Sequence, residues 1–131
     1  MQVMRESDYV VVACALTKDT RGMLNKEAFA DCKPGQVLIN VARGPVINED
    51  DLVEALTSGL LAGAALDVFC VEPLPLESKI WELENVLLSP HNADMTADFR
   101  HKSVQLFFCE NCARFIAGIP LHNVVSAVEG Y

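Results

Sequence analysis

Three residues of the sequence combine a cation, a carboxylate and an imidazole, which together can perform acid–base chemistry. Arg43, Glu72 and His91 each stand shortly after an apolar run that predicts a buried strand. Because the carboxyl ends of parallel strands lie at one edge of a sheet, we expect these side chains to meet in one cleft. A guanidinium pairs with a carboxylate through two hydrogen bonds, and an imidazole exchanges protons near neutral pH. The combination predicts proton transfer on a small anionic carbonyl or hydroxyl compound.

Alternating strand and helix patterns predict the framework that positions these residues. Strands are expected at Asp8–Ala15, Gln36–Asn40, Leu61–Val68 and Val86–Ser89. Helices are expected at Lys26–Cys32, at Glu49–Ser58 and from Thr96 to Ile116, with a Pro-rich loop between the third and fourth strands. The β-branched run Asp8–Ala15 is interpreted as a fully buried parallel strand. Asn25 and Asn48 are expected to cap the first two helices, and Gly59 to end the second. The alternation predicts an α/β fold with a parallel sheet and right-handed crossovers.

Composition narrows the class of partner. With 131 residues the chain is one domain at most, and its net charge of −8 argues against a nucleic-acid or anionic-membrane partner. No apolar stretch approaches the ~20 residues of a membrane span, and the start of the chain lacks the pattern of a signal peptide. Five cysteines, an odd number without framework spacing, favour reduced thiols and a cytoplasmic location.

Several short segments, in this order and at this spacing, resemble the D-isomer-specific 2-hydroxyacid dehydrogenases over residues 6–125. They are Ser7–Val12, Leu16–Thr20, Lys33–Gly35, Leu38–Gly44, Ala64–Val68, Glu72–Pro73 and Ser89–His91. The stretch Val11–Thr17 is most similar to the glyoxylate/hydroxypyruvate reductase branch. The resemblance implies a Rossmann-like parallel sheet with helices on both faces. It also implies an enzyme that uses NAD or NADP to reduce a small 2-oxo acid to a D-2-hydroxy acid.

The resemblance also implies roles for the three residues of the expected cleft. Arg43 would hold the substrate carboxylate and polarise its carbonyl, and His91 would donate the proton in reduction. Glu72 would hydrogen-bond to His91, fix its tautomer and favour the protonated ring. The alternatives are a surface arginine, a structural histidine and a loop glutamate.

Cofactor contacts are implied at a further set of residues, namely Leu16, Thr17, Asn40, Val41, Ala42, Arg43, Asp67, His91 and Ala93. Asp67 would accept a hydrogen bond from the nicotinamide amide, with a turn aspartate as the alternative. Thr17 and Thr20 could equally be plain loop residues. No metal site is expected, because the C-x-x-C at Cys109–Cys112 lies inside the last predicted helix without a second ligand pair. His101 and His122 are expected to be solvated.

The sequence contains no G-x-G-x-x-G, the turn that holds the cofactor pyrophosphate in this family. We therefore interpret residues 1–118 as a partial NAD(P)-binding domain that lacks its first βαβ half and most of the substrate domain. Residues 119–131 would be a tail that returns to the substrate domain. The full-length family context implies a homodimer. The alternative function is an inactive fragment or a corepressor-like protein-binding module of the same fold. The unpaired edge of the first strand predicts marginal stability or pairing with another chain.

Overall fold

A computed structural model describes residues 2–128, apart from the side chain of Leu106. The chain divides into two compact units: the first ends at His91 and the second begins at Asn92. All three residues of the expected cleft therefore belong to the first unit. The expected domain boundary after residue 118 stays a prediction.

The first unit is built on a four-stranded parallel sheet in the order β1-β2-β3-β4. Its strands are β1 (Tyr9–Val12), β2 (Val37–Asn40), β3 (Gly63–Leu66) and β4 (Val86–Leu88). The sheet confirms the predicted parallel α/β class. Each strand is shorter than the apolar run that predicted it, because residues at one or both ends of each run lie in the adjoining loops.

Burial alternates along the first strand. Val10 and Val12 are buried, whereas Tyr9 is 68% exposed and Val11 57% exposed. Val11 lies in register with Ile39, and the same row reaches Leu87, which is 71% exposed. The interpretation of β1 as fully buried is therefore wrong, because only one of its faces contacts the core.

Two helices begin where asparagine caps were expected. The Asn25 side chain accepts from the Ala28 N–H at 3.2 Å and starts α2 (Lys26–Ala30). The Asn48 side chain accepts from the Asp51 N–H at 3.2 Å and starts α3 (Glu49–Ser58). Gly59 ends α3 with a φ of 79°, which only glycine adopts without strain.

Other short elements complete the first unit. The helix α1 (Gln2–Glu6) was not predicted, and 3₁₀ turns occupy Gly44–Val46 and Lys79–Glu82. One hydrophobic core joins the buried strand side chains to residues of α1, α2 and α3, including Met4, Phe29, Leu38, Leu52 and Leu56.

The second unit is mainly helical. It contains α4 (Phe99–Ser103), a π-helical segment (Val104–Cys109) and α5 (Glu110–Ile116), so the predicted helix begins three residues later than expected. The apolar side chains expected along it, such as Phe108 and Phe115, are mostly exposed. Within residues 2–128, no helix is both long and apolar enough to span a membrane.

Candidate active site

Arg43 is placed by a side-chain turn at the end of β2. The Asn40 side chain is buried, and its Oδ1 accepts from the Ala42 N–H at 3.0 Å. Its Nδ2 donates to the Arg43 carbonyl at 3.2 Å. These two bonds fix the direction of the chain as it leaves the sheet. The Arg43 guanidinium is exposed and donates from Nη1 to the Ala42 carbonyl at 2.7 Å.

Gly44 brings this loop against the loop that carries Glu72. A Cβ at position 44 would lie 1.9 Å from the Phe69 carbonyl carbon and 2.4 Å from the Cys70 nitrogen. No side chain fits there, since carbon atoms in contact are normally about 3.5–4.0 Å apart. Because Gly44 has no side chain, its backbone can contact the Phe69–Cys70 peptide, which lies just before Glu72 in the chain.

Glu72 binds with both carboxylate oxygens. Its Oε1 accepts from the Phe69 N–H at 2.9 Å, and its Oε2 lies 2.7 Å from His91 Nδ1. The hydrogen bond to His91, the Phe69 N–H and the Arg43 guanidinium hold the pKa of Glu72 below its ordinary value. Glu72 is therefore ionised at neutral pH, so that Nδ1 of His91 carries the hydrogen and donates it. Proton exchange with a substrate is then left to Nε2.

His91 reaches this contact in an unusual backbone conformation. It follows β4 and Pro90, and its φ is 53°, in the left-handed region. Histidine is one of the few residue types enriched there, although the conformation still costs about 1 kcal/mol or more. The bond to Glu72 and the preceding proline restrain the ring, which is 44% exposed. A strained but restrained residue of this kind is a common feature of functional sites.

A cavity of about 620 Å³ opens beside the Glu72–His91 pair. Arg43 is not among the residues that line it. Besides Glu72 and His91, the wall is formed mostly by apolar side chains: Phe69, Pro73, Leu74, Trp81, Leu88, Ser89 and Pro90. Hydrogen bonds and charge pairs at its rim act in surroundings less polar than water, which strengthens them.

Asp67 lies at the end of β3 and is 6% exposed. Its Oδ1 accepts from the Ser89 hydroxyl at 2.5 Å, and its N–H donates to the Asn40 carbonyl at 3.0 Å. Asp67 thus links the ends of β2, β3 and β4, through its backbone N–H to Asn40 and through its carboxylate to Ser89. The sequence had singled out Asp67 but not Ser89, whose position two residues before His91 was the available signal.

The remaining expected cofactor residues are less closely joined. The Thr20 hydroxyl accepts from the Thr17 N–H and donates to the Ala15 carbonyl, each at 2.7 Å, so both threonines bond within their own loop. Leu16 is half-buried, Val41 is 42% exposed and Ala42 is buried. Ala93 belongs to the second unit. The proposed cofactor contacts of these residues stay predictions.

The other cysteines and histidines of interest lie in the second unit. Cys109 and Cys112 are free and exposed. His101 is exposed, and His122 Nε2 lies 2.9 Å from Glu110 Oε1. Across the described part of the chain, no group of three His, Cys, Asp or Glu residues is arranged to hold a metal ion.

Comparison with known proteins defines the class to which this fold and site belong. Residues 1–93 match the family model described as D-isomer specific 2-hydroxyacid dehydrogenase, NAD binding domain. The chain belongs to this family. The match includes Arg43, Glu72 and His91, and it confirms the resemblance expected from the short motifs.

Similar curated proteins include two named as glyoxylate/hydroxypyruvate reductases. The glyoxylate reductase/hydroxypyruvate reductase of Homo sapiens is 39% identical over 120 residues, which are 92% of this chain and 36% of the relative. The glyoxylate/hydroxypyruvate reductase B of Pectobacterium carotovorum is 41% identical over 128 residues, 98% of this chain and 36% of the relative. The chain therefore spans little more than a third of the length of these two curated relatives.

Solved structures agree with the fold. A D-isomer specific 2-hydroxyacid dehydrogenase from Xanthobacter autotrophicus Py2, in complex with NADPH and MES, superimposes with a TM-score of 0.86 at 44% identity. The match covers 98% of this chain and 52% of the other. An NADPH-dependent glyoxylate/hydroxypyruvate reductase from Sinorhizobium meliloti, in complex with NADP and sulfate, superimposes with a TM-score of 0.85 at 41% identity. This match covers 98% of this chain and 41% of the reductase. The Rossmann-like fold class is confirmed.

Proposed function

We propose that this chain carries the proton-transfer part of an NAD(P)-dependent 2-hydroxyacid dehydrogenase. The substrate would be a small 2-oxo acid such as glyoxylate or hydroxypyruvate, reduced to a D-2-hydroxy acid. The observation that supports this most is the 2.7 Å contact between Glu72 and His91, with Arg43 on the adjoining loop. The names of the relatives support the choice of substrate.

Each of these residues has one part in the reaction. Arg43 binds the carboxylate of the 2-oxo acid and polarises the neighbouring carbonyl. His91 gives the proton on Nε2 to the carbonyl oxygen, and Glu72 stabilises the cationic ring before the transfer. A reduced nicotinamide, when bound, supplies the hydride to the carbonyl carbon. In the reverse direction His91 takes the hydroxyl proton.

The residues fit the nicotinamide end of a cofactor better than its phosphate end. Asp67 offers a buried carboxylate that can accept from an amide, and the exposed Val41 offers apolar surface just after β2. The sequence contains no G-x-G-x-x-G to hold the pyrophosphate. The cofactor would be NAD or NADP, and NADPH or NADP is bound in the structures from Xanthobacter autotrophicus and Sinorhizobium meliloti.

Two further features of the whole protein are part of this proposal. A homodimer would be the assembly, as the resemblance to the family implies. A cytoplasmic location suits the free thiols of the cysteines, which persist where the environment is reducing.

Activity is tested in the full-length family context, by following oxidation of NADH and of NADPH with glyoxylate and with hydroxypyruvate. His91→Gln should lower kcat by a hundredfold or more, in the range of about 10²–10⁴ typical of general acids. Arg43→Ala should raise KM and lower kcat together, because it removes both binding and polarisation. His101→Gln, an exposed histidine of α4, is the matched control and should have no effect.

Two results would contradict the proposal. One is an equal rate for the His91 and His101 variants. The other is no oxidation of either cofactor with either acid, which would favour the alternative of an inactive protein-binding module.

A further inference from the structure

The peptide between Phe69 and Cys70 is held by two carboxylates. The Phe69 N–H donates to Glu72 Oε1 at 2.9 Å, and the Cys70 N–H donates to Glu49 Oε1 at 2.5 Å. Hydrogen bonds to ionised acceptors are shorter and roughly twice as strong as neutral ones. Glu49 therefore ties the first turn of α3 to the loop that presents Glu72.

Other contacts at this corner are weaker or purely steric. The Cys70 thiol lies 3.7 Å from the Ile47 carbonyl, at the outer limit of a sulfur hydrogen bond. Gly44 packs against the same peptide without bonding to it. The Glu49 carboxylate is thus the strongest polar restraint that the 44–49 segment places on the loop.

A general helix-dipole role does not account for this contact. Glu49, Asp50 and Asp51 all lie in the first turn of α3, where negative charge is favourable. Asp50 is exposed, whereas the Glu49 carboxylate is directed to an N–H of a different segment. The length and direction of the Glu49 side chain, and not its charge alone, set the position of the loop.

We propose that Glu49 is a positioning residue for the Glu72–His91 pair. By holding the Phe69–Cys70 peptide, it keeps the Phe69 N–H in place to orient the Glu72 carboxylate toward His91. The geometric part of this proposal stands on the contacts above, and its effect on turnover rests on the proposed function.

Four variants separate this role from a simple charge effect. Glu49→Ala removes the acceptor, and Glu49→Asp keeps the charge but shortens the reach. Glu49→Gln keeps an oxygen that can accept from the Cys70 N–H, and Asp50→Ala removes the neighbouring charge from the same helical turn. Circular dichroism and thermal unfolding establish which variants are folded. If Glu49→Ala is not folded, Glu49→Asp and Glu49→Gln test the positioning role.

The main readout is the pKa of Glu72, measured by NMR on isotope-labelled glutamate and assigned by the signal lost in Glu72→Gln. Glu49→Ala and Glu49→Asp should raise the pKa of Glu72 toward its ordinary value, because the Phe69 N–H and His91 are no longer well placed. Glu49→Gln and Asp50→Ala should leave it low. A low pKa of Glu72 in the Asp variant, or an equal rise in Asp50→Ala, would overturn the proposal.

A second readout reports on the contact itself. Partial burial and the Glu49 carboxylate raise the pKa of the Cys70 thiol to about 11. Alkylation of Cys70 by iodoacetamide should be several-fold faster in both Glu49→Gln and Glu49→Ala than in the unaltered chain, and unchanged rates would overturn the contact. Neither readout needs turnover, so the positioning role of Glu49 can be tested independently of the proposed enzyme activity. If turnover is observed, Glu49→Ala should lower kcat more than it changes KM.

Discussion

Replacing Gly44 by alanine tests whether one backbone contact holds the candidate site together. The added Cβ would lie 1.9 Å from the Phe69 carbonyl carbon and 2.1 Å from its oxygen. These are backbone atoms and cannot rotate away. Ordinary contact begins at 3.4 Å, so the Phe69–Cys70 peptide must retreat by roughly 1.5 Å or more.

The cost follows from what this displacement breaks. The Phe69 N–H and the Cys70 N–H donate to Glu72 and Glu49 over 2.9 and 2.5 Å, and neither bond survives a shift of that size. Bonds to charged groups contribute about 1.5–3 kcal/mol each, and overpacking alone costs about 1–3 kcal/mol. Allowing for partial relaxation of the loop, we expect Gly44→Ala to lower the free energy of unfolding by about 3 kcal/mol.

The matched control is Gly59→Ala. Gly59 has a φ of 79° and nothing within 4 Å of its added Cβ, so only backbone strain opposes the side chain. That strain costs about 1–2 kcal/mol. Urea unfolding of both variants gives the free energies, and the pKa of Glu72 shows whether the site moved. It should rise in Gly44→Ala and stay low in Gly59→Ala.

Two results would refute this reasoning. One is a loss in Gly44→Ala no larger than that in Gly59→Ala. The other is an unchanged pKa of Glu72 in a folded Gly44→Ala chain, which would mean that the peptide does not need to approach position 44.

Two further predictions concern pH and association. The pKa of Glu72 is lowered from its ordinary value of 4.5, chiefly by the hydrogen bond to His91. The ionised carboxylate therefore stabilises the folded chain fully above pH 4.5, and this stabilisation is lost as the pH falls through the lowered pKa of Glu72 in the folded state. The difference in unfolding free energy between the unaltered chain and Glu72→Gln should therefore shrink on acidification, and a constant difference would argue against the pair. The exposed Tyr9 and Val11 lie on an edge strand, so we expect the chain to self-associate in sedimentation experiments. Val11→Lys should reduce this association without lowering Tm. The same change at the buried Val12 should unfold the chain. If the unaltered chain is monomeric and unfolds cooperatively with a high Tm, the prediction of self-association is wrong.

Local signals in the sequence predicted much of the framework. The limits of α3 were predicted at both ends, because Asn48 and Gly59 act on neighbouring backbone groups only. The exposed face of β1 was not predicted. An unbroken apolar run such as Val10–Val12 indicates a strand but does not show how many of its faces find a partner, because that depends on distant parts of the chain.

The site divides in the same way. The sequence singled out Arg43, Glu72 and His91 because each follows a predicted strand of a parallel sheet, and the structure places Glu72 against His91. The sequence did not identify Glu49 as a contact of the loop that carries Glu72. Glu49 lies 21 residues before its partner Cys70, and no local pattern links the two. The charge of Glu49 also had a sufficient local explanation in the dipole of α3.

The three residues of the site depend on the fold in different ways. Arg43 immediately precedes Gly44, and Gly44 touches the peptide that orients Glu72, so a change at this corner must move the cation and the carboxylate together. His91 arrives separately, at the end of β4 and in its own left-handed conformation. A loss of Glu72 therefore removes a restraint on the His91 ring while Arg43 keeps its turn through Asn40. In the proposed reaction, the effects on substrate binding by Arg43 and on proton transfer by His91 should consequently be separable by mutation at Glu72, but not at Gly44.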